Sequence, residues 1–260
     1  MRRFFYFALF ATLFLYADEV KLTDVEGKYK AYHKLEVEHQ FKQHIGFGFA
    51  NTTGNSETLN FSFDYNFEYI TAGYSNQELK LLFDTRAYIS ESNHEKDDEE
   101  YKAWLRCEQM IVDNWFGYLS SRWERNRFQN YENKTTLGIG LGKDLLSDSN
   151  QSLTLTLGVA YTFEYYSDDT PHYNYSSITQ YLDYKNQLNE ISNLYLKLGA
   201  MESFEHFRDD YELVMLAGVK FIIAQSLNLS IESEVDYDAS VADGYEKTDT
   251  KTLIKLGYDF

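Results

Sequence analysis

The 260-residue chain contains one proline, one cysteine and few basic residues. After residue 17 it has no uncharged apolar run approaching the roughly 20 residues a membrane-crossing helix needs. Each scarcity excludes something. Cys107 has no partner for an internal disulfide. Pro171 is the only residue whose missing N–H would interrupt a hydrogen-bonded ladder, so long strands can form over the rest of the chain. The 24 Lys and Arg against 41 Asp and Glu, a formal net charge of -17, argue against a nucleic-acid partner.

The start of the chain sets an expected compartment. A basic Met1-Arg2-Arg3, an apolar stretch over residues 4–15 and a Leu15-Tyr16-Ala17 site before Asp18 predict a cleaved secretory leader over residues 1–17. No cysteine directly follows that site, so a lipid anchor is not expected. Residues 18–42 are expected as a periplasmic lead-in. Its His33 and His39, with His44 just beyond, are too irregularly spaced to predict a metal site, and no cofactor is expected.

What the chain does have is period two. In residues 152–165, Leu153, Leu155, Leu157, Val159, Tyr161, Phe163 and Tyr165 alternate with Ser152, Thr154, Thr156, Gly158, Ala160, Thr162 and Glu164. A strand sends these two rows to opposite faces, whereas a helix would scatter them. The same alternation marks segments near 43–50, 59–69, 78–89, 101–111, 115–126, 134–143, 178–188, 194–204, 212–223, 227–237 and 251–260. With 152–165 this gives about twelve strands. Tight turns are expected at 70–76, 112–114, 147–150, 189–193 and 224–226, and long loops at 90–100, 166–176 and 238–249.

Short connections alternating with long ones predict an all-β fold, an antiparallel up-and-down transmembrane β-barrel over residues 43–260, located in the outer membrane. With an even strand count, both ends of that segment share the short-turn rim. Aromatics make up 17% of the chain and gather near expected strand ends, as the girdles at the two bilayer interfaces do. The polar rows carry bulky charges: Lys80, Asp84, Arg86, Arg106, Glu108, Arg122, Glu124, Asp183, Lys185, Lys197 and Lys220 are expected to line the lumen. By the same phase Lys102, Lys251, Lys255, Asp64, Glu68, Glu164, Glu232, Glu234, Asp236 and Asp259 point inward, giving a nearly balanced interior. Cys107 falls in the opposite phase and is expected to face lipid as a small apolar filler. The alternative is a soluble sandwich or lipocalin-like barrel that binds a ligand, with its apolar rows inside and its charges in water.

Lipid offers no water to satisfy an open sheet edge, so a spanning sheet must close. The alternation of Leu256, Tyr258 and Phe260 is therefore expected on the closing strand, and it resembles the C-terminal signal read by barrel-assembly machinery. Three stretches, GFGFANTTGNSETLNFSFDYNFEY (46–69), ERNRFQNYENKTTLGIGLGKDLL (124–146) and YEKTDTKTLIKLGYDF (245–260), resemble the salt-induced outer-membrane proteins, a family also called domain of unknown function 481. The resemblance covers nearly all of residues 44–260. It implies a bacterial outer-membrane barrel and brings no catalytic residues.

An enzyme is not expected. An alternative hydrolase at the rim would use His94, His172 or His206, but no serine motif accompanies them. The expected long loops, together with residues 206–211, hold fourteen acidic residues against Lys96, Arg208 and Lys247. This reads as a solvated acidic rim, or as one attracting cations that bridge lipopolysaccharide phosphates. The expected partners are outer-membrane lipid and lipopolysaccharide, with the assembly machinery during biogenesis. The expected role is a narrow channel or a structural envelope barrel.

Overall fold

The structure, a computed structural model, describes residues 37, 39–52, 58–92, 95–126, 129–240 and 246–260. The expected leader, His33, His94 and most of the 18–42 lead-in lie outside the described residues. Twelve strands follow in order: β1 (Gln40–Thr52), β2 (Thr58–Ala72), β3 (Glu78–Ser92), β4 (Glu95–Val112), β5 (Trp115–Asn126) and β6 (Tyr131–Ser147). Then come β7 (Gln151–Tyr166), β8 (Tyr173–Asn189), β9 (Ser192–Ser203), β10 (Tyr211–Ile222), β11 (Leu227–Asp238) and β12 (Thr248–Asp259). Each pairs antiparallel with its neighbours in sequence, and β12 returns to β1, giving the closed up-and-down barrel that the alternation predicts.

The closing ladder runs from His44↔Asp259 to Gly48↔Lys255. It is extended at the terminus by Gln43 N–H to the Phe260 carbonyl at 2.9 Å and Phe260 N–H to the Gln43 carbonyl at 3.0 Å. The β1–β2 ladder continues further, to Thr52↔Thr58.

Turn chemistry holds the rim that carries the termini. The β4–β5 hairpin turns on Asp113 and Asn114, both at positive φ (30° and 65°), which these residue types tolerate best after glycine. Between β6 and β7, Asp148 accepts the amides of Asn150 and Gln151 at 2.9 and 2.8 Å, and these donors hold its carboxyl below the usual range. The other rim carries the three longest connections, residues 167–172, 204–210 and 239–247.

Residues 90–100 depart from the expected loop: β3 runs to Ser92 and β4 begins at Glu95. The acidic tract reads as loop by composition, yet its ladder continues, with Ser90↔Asp98 and Tyr88↔Glu100 in register. Strand β8 likewise starts at Tyr173, earlier than the expected 178.

The barrel is apolar outside and charged inside. Ile139 and Ile254, on the outward rows, are 55% and 59% exposed, while Arg106 and Glu124 are 5% and 6% exposed. Cys107 lies on the outward row between Leu81 and Leu119. Within the wall, small residues make room for rings. Tyr118 lies over Gly140 and Gly158, and Phe116 over Gly142, so both rings are buried against bare backbone. The Arg106 guanidinium in turn sits 4.0 Å from the centre of the Tyr118 ring.

A side chain at Gly158 has no room, because its Cβ would lie 2.6 Å from the Ile139 carbonyl oxygen as well as against the Tyr118 hydroxyl. Gly158→Val is expected to destabilise the barrel by about 1–3 kcal/mol through overpacking. The check is the urea midpoint of the folded, heat-modifiable form, and an unchanged midpoint would contradict this packing.

Candidate functional site in the barrel interior

Side chains touch across the barrel from strands that are not neighbours. Arg86 on β3 pairs with Glu234 on β11. Lys102 on β4 reaches Glu234 at 3.3 Å and Asp236 at 3.0 Å, and also pairs with Glu100 on its own strand. Lys251 on β12 meets Glu100 and Asp98 of β4, the latter at 3.3 Å, with its ammonium 4.9 Å from the Tyr88 ring centre. Such contacts require these rows to face a common interior.

A second knot joins β5, β6, β7, β8 and β10. Lys134 lies 2.8 Å from Glu164 and 2.5 Å from Glu212. Arg122 pairs with Glu124 at 2.8 Å and reaches Glu212 at 3.5 Å. The hydroxyl of Tyr175 donates to Glu212 and Glu164, both at 3.2 Å. On β12, Lys255 binds Asp64 of β2 and Glu232 of β11, each at 2.7 Å. Burial explains the pairing: a charge removed from water needs a counter-ion or donors close by.

Both knots lie toward the loop rim. Toward the terminus rim the interior is wetter, with Lys80 on Glu78 at 2.9 Å, Lys220 on Asp259 at 2.8 Å and a loose Asp183–Lys197 pair at 3.9 Å whose side chains are 36% and 45% exposed. Arg106 pairs with Glu108 at 2.7 Å. His44 Nδ1 lies 2.6 Å from Asp259 Oδ1. Asp84 stands opposite Asn66 and Trp104, and Lys185 opposite Ser152 and Tyr195; neither makes an ion pair among the described residues. At the terminus, Leu256, Tyr258 and Phe260 all point outward and are about half exposed, with the last two rings 5.8 Å apart.

Lys134, Glu212, Glu100 and Asp98 also belong to the inward set, beyond the residues expected there. For Lys134 the signal was present, since it shares the phase of Thr136, Gly138, Gly140 and Gly142 on β6. For Glu212 it was masked, because Val214 and Leu216 share its inward row and make β10 look apolar on both faces. Glu100 and Asp98 fell inside the acidic tract assigned to a loop.

Carboxylate oxygens of Glu100, Glu234 and Asp236 lie within 4.8 Å of one another, close enough to hold a metal. The position is taken, however. Lys102 reaches all three carboxylates, Lys251 also binds Glu100, and Arg86 binds Glu234. Protein cations supply the charge a metal would bring, and the arrangement is an ion-pair knot.

No curated protein matches this sequence. Similar solved structures include an outer membrane channel from Pseudomonas putida F1 (8% identity, TM-score 0.49, 88% of this chain and 98% of that one). The NanC porin is similar at 10% identity and TM-score 0.46, over 85% and 99%. The translocator domain of the autotransporter NalP from Neisseria meningitidis is similar at 13% identity and TM-score 0.42, over 92% and 96%. At such identities these likenesses carry nothing about activity. The family described as "Protein of unknown function, DUF481" matches residues 45–260, and the chain belongs to that family.

Proposed function

We propose that this chain is a bacterial outer-membrane barrel of the salt-induced type, working as a narrow channel whose gate is the ion-pair network in the loop-side half of its lumen. The observation that carries this reading is the set of pairs spanning the interior: Arg86–Glu234, Lys102–Asp236, Lys251–Glu100 and Lys134–Glu212. They cross a lumen that is open to solvent toward the terminus rim. Membrane placement is supported by the outward apolar rows, whose large exposed side chains lipid would cover. Phe41 and Tyr69, with Phe67 beside them, sit near the terminus rim, as an interfacial girdle does.

In this reading the terminus rim is periplasmic, the loop rim faces outward, and the leader over residues 1–17 delivers the chain. The outward row of Leu256, Tyr258 and Phe260 is what the assembly machinery would read. Lipid and lipopolysaccharide are the standing partners, and the role is transport, not catalysis. A rim hydrolase has no specific observation in its favour: His172 packs on Tyr165 and His206 on Tyr173, and among the described residues no hydroxyl or thiol bonds to either imidazole.

Planar-bilayer recordings on refolded protein are expected to show small, infrequent openings. Lys102→Met removes the ammonium shared by three carboxylates and should give a several-fold larger, cation-selective conductance. Because breaking a buried ion pair costs about 3–5 kcal/mol, the variant's folded state is first checked by heat-modifiable migration. No openings in either protein would leave a structural envelope barrel instead.

In cell fractionation the protein is expected in the sarkosyl-insoluble envelope, with heat-dependent gel mobility. Release with the periplasmic fraction without detergent would overturn the membrane reading and favour a soluble ligand-binding barrel.

A further inference from the structure

A separate cavity of about 250 Å³ opens at the loop rim, lined by Glu164, Tyr166, Tyr173, His206, Asp209, Asp210 and Ser240. Its walls are rings held by other rings. Tyr166 stacks on Tyr131 at 5.8 Å, and Tyr173 stacks on Tyr175 at 5.2 Å while lying 6.4 Å from His206. The loop that supplies His206, Asp209 and Asp210 is tied down. The amides of Asp209 and Asp210 both donate to the His206 carbonyl at 3.0 Å, and the Glu205 carboxylate accepts the Ser176 amide at 3.2 Å.

The charge of this cavity is one-sided. Glu164 has its counter-ion, Lys134, at 2.8 Å. Asp210 is only 7% exposed, yet among the described residues no cation pairs with it. A buried carboxylate without a counter-ion is costly, and burial pushes the Asp210 carboxyl above its usual range, against a hydrogen bond from Ser240. Tyr173 also lines the space, with its hydroxyl enclosed beside Ser203. A carboxylate with no counter-ion among the described residues therefore borders one space between aromatic walls.

The geometry favours one ligand class. A bare metal ion needs several ligand atoms converging on a point, but among the described residues the only such convergence is the Glu100, Glu234 and Asp236 knot. An anion would meet three carboxylates, Glu164, Asp209 and Asp210, and no Lys or Arg in the lining. We propose that this cavity binds an organic cation carrying N–H donors, an amine or guanidinium, seated between Tyr166 and Tyr173 with its charge on Asp210. The carboxylate supplies the charged hydrogen bond and the rings supply the cation–π faces. The idea depends on the channel reading only for the side of the membrane the cavity faces, since binding itself is independent of conduction.

The test is calorimetric titration of agmatine into the refolded full chain in detergent, at fixed ionic strength, with magnesium chloride as the comparison. One saturable agmatine site per chain is expected. Asp210→Asn should weaken it about tenfold or more, a loss of roughly 1.4 kcal/mol. Tyr173→Leu should weaken it several-fold, and Asp148→Asn, at the opposite rim, should leave it unchanged. If Asp210→Asn fails the heat-modifiability check, Tyr173→Leu decides the matter. No saturable agmatine binding, an affinity unmoved by either cavity variant, or magnesium binding lost in the same variants would each overturn the proposal. The recordings described above are read separately, so a silent channel with an intact agmatine site removes only the conduction reading.

Discussion

The whole molecule depends on leaving no strand edge open. In the membrane reading proposed above, a sheet with twelve strands and an apolar outer face has nowhere to end, because each unpaired backbone group in hydrocarbon costs several kcal/mol. The return of β12 to β1 meets that demand, and other features follow from it. Closure divides every strand into an outer and an inner row, and the chain spends its apolar residues on the outer one.

That interior explains the ion pairs. Once charges from opposite walls share a small lumen, each must find a partner or remain in water. Toward the loop rim they find partners across the barrel; toward the termini the pairs are more local and several are more exposed. The glycines at 140, 142 and 158 belong to the same arrangement, since they let Tyr118 and Phe116 lie flat on the wall and give Arg106 a ring to rest on. A buried network of this kind adds little net stability, because the cost of desolvating its charges offsets much of their attraction.

Much of this was legible in the residues. Period two in 152–165 placed Leu157 and Val159 outside and Thr156 and Thr162 inside, and the same phase put Cys107 on the outer row. It failed where composition was read in place of phase. The acidic run at 90–100 reads as loop by composition, although a strand can continue beyond an apolar belt into water and keep its ladder. Glu212 was lost because Val214 and Leu216 share its row. Partnerships such as Lys134 with Glu212 could not be read at all. Which walls come within reach is set by the diameter and tilt of the closed sheet, properties of all twelve ladders together. The rim cavity was invisible for a similar reason, because its lining comes from three separate hairpins.

The brevity of the β1–β12 ladder gives the barrel an unequal circumference. Eleven joints are long zips of backbone hydrogen bonds, while the twelfth stops at Gly48↔Lys255 although β1 itself runs on to Thr52. Cohesion along that line leans on what lies behind it, above all the Lys255 bridge to Asp64 and Glu232. The wall therefore behaves less like a uniform pipe than like a rolled sheet clasped by a short buckle, and any outward flexing of the cylinder concentrates there.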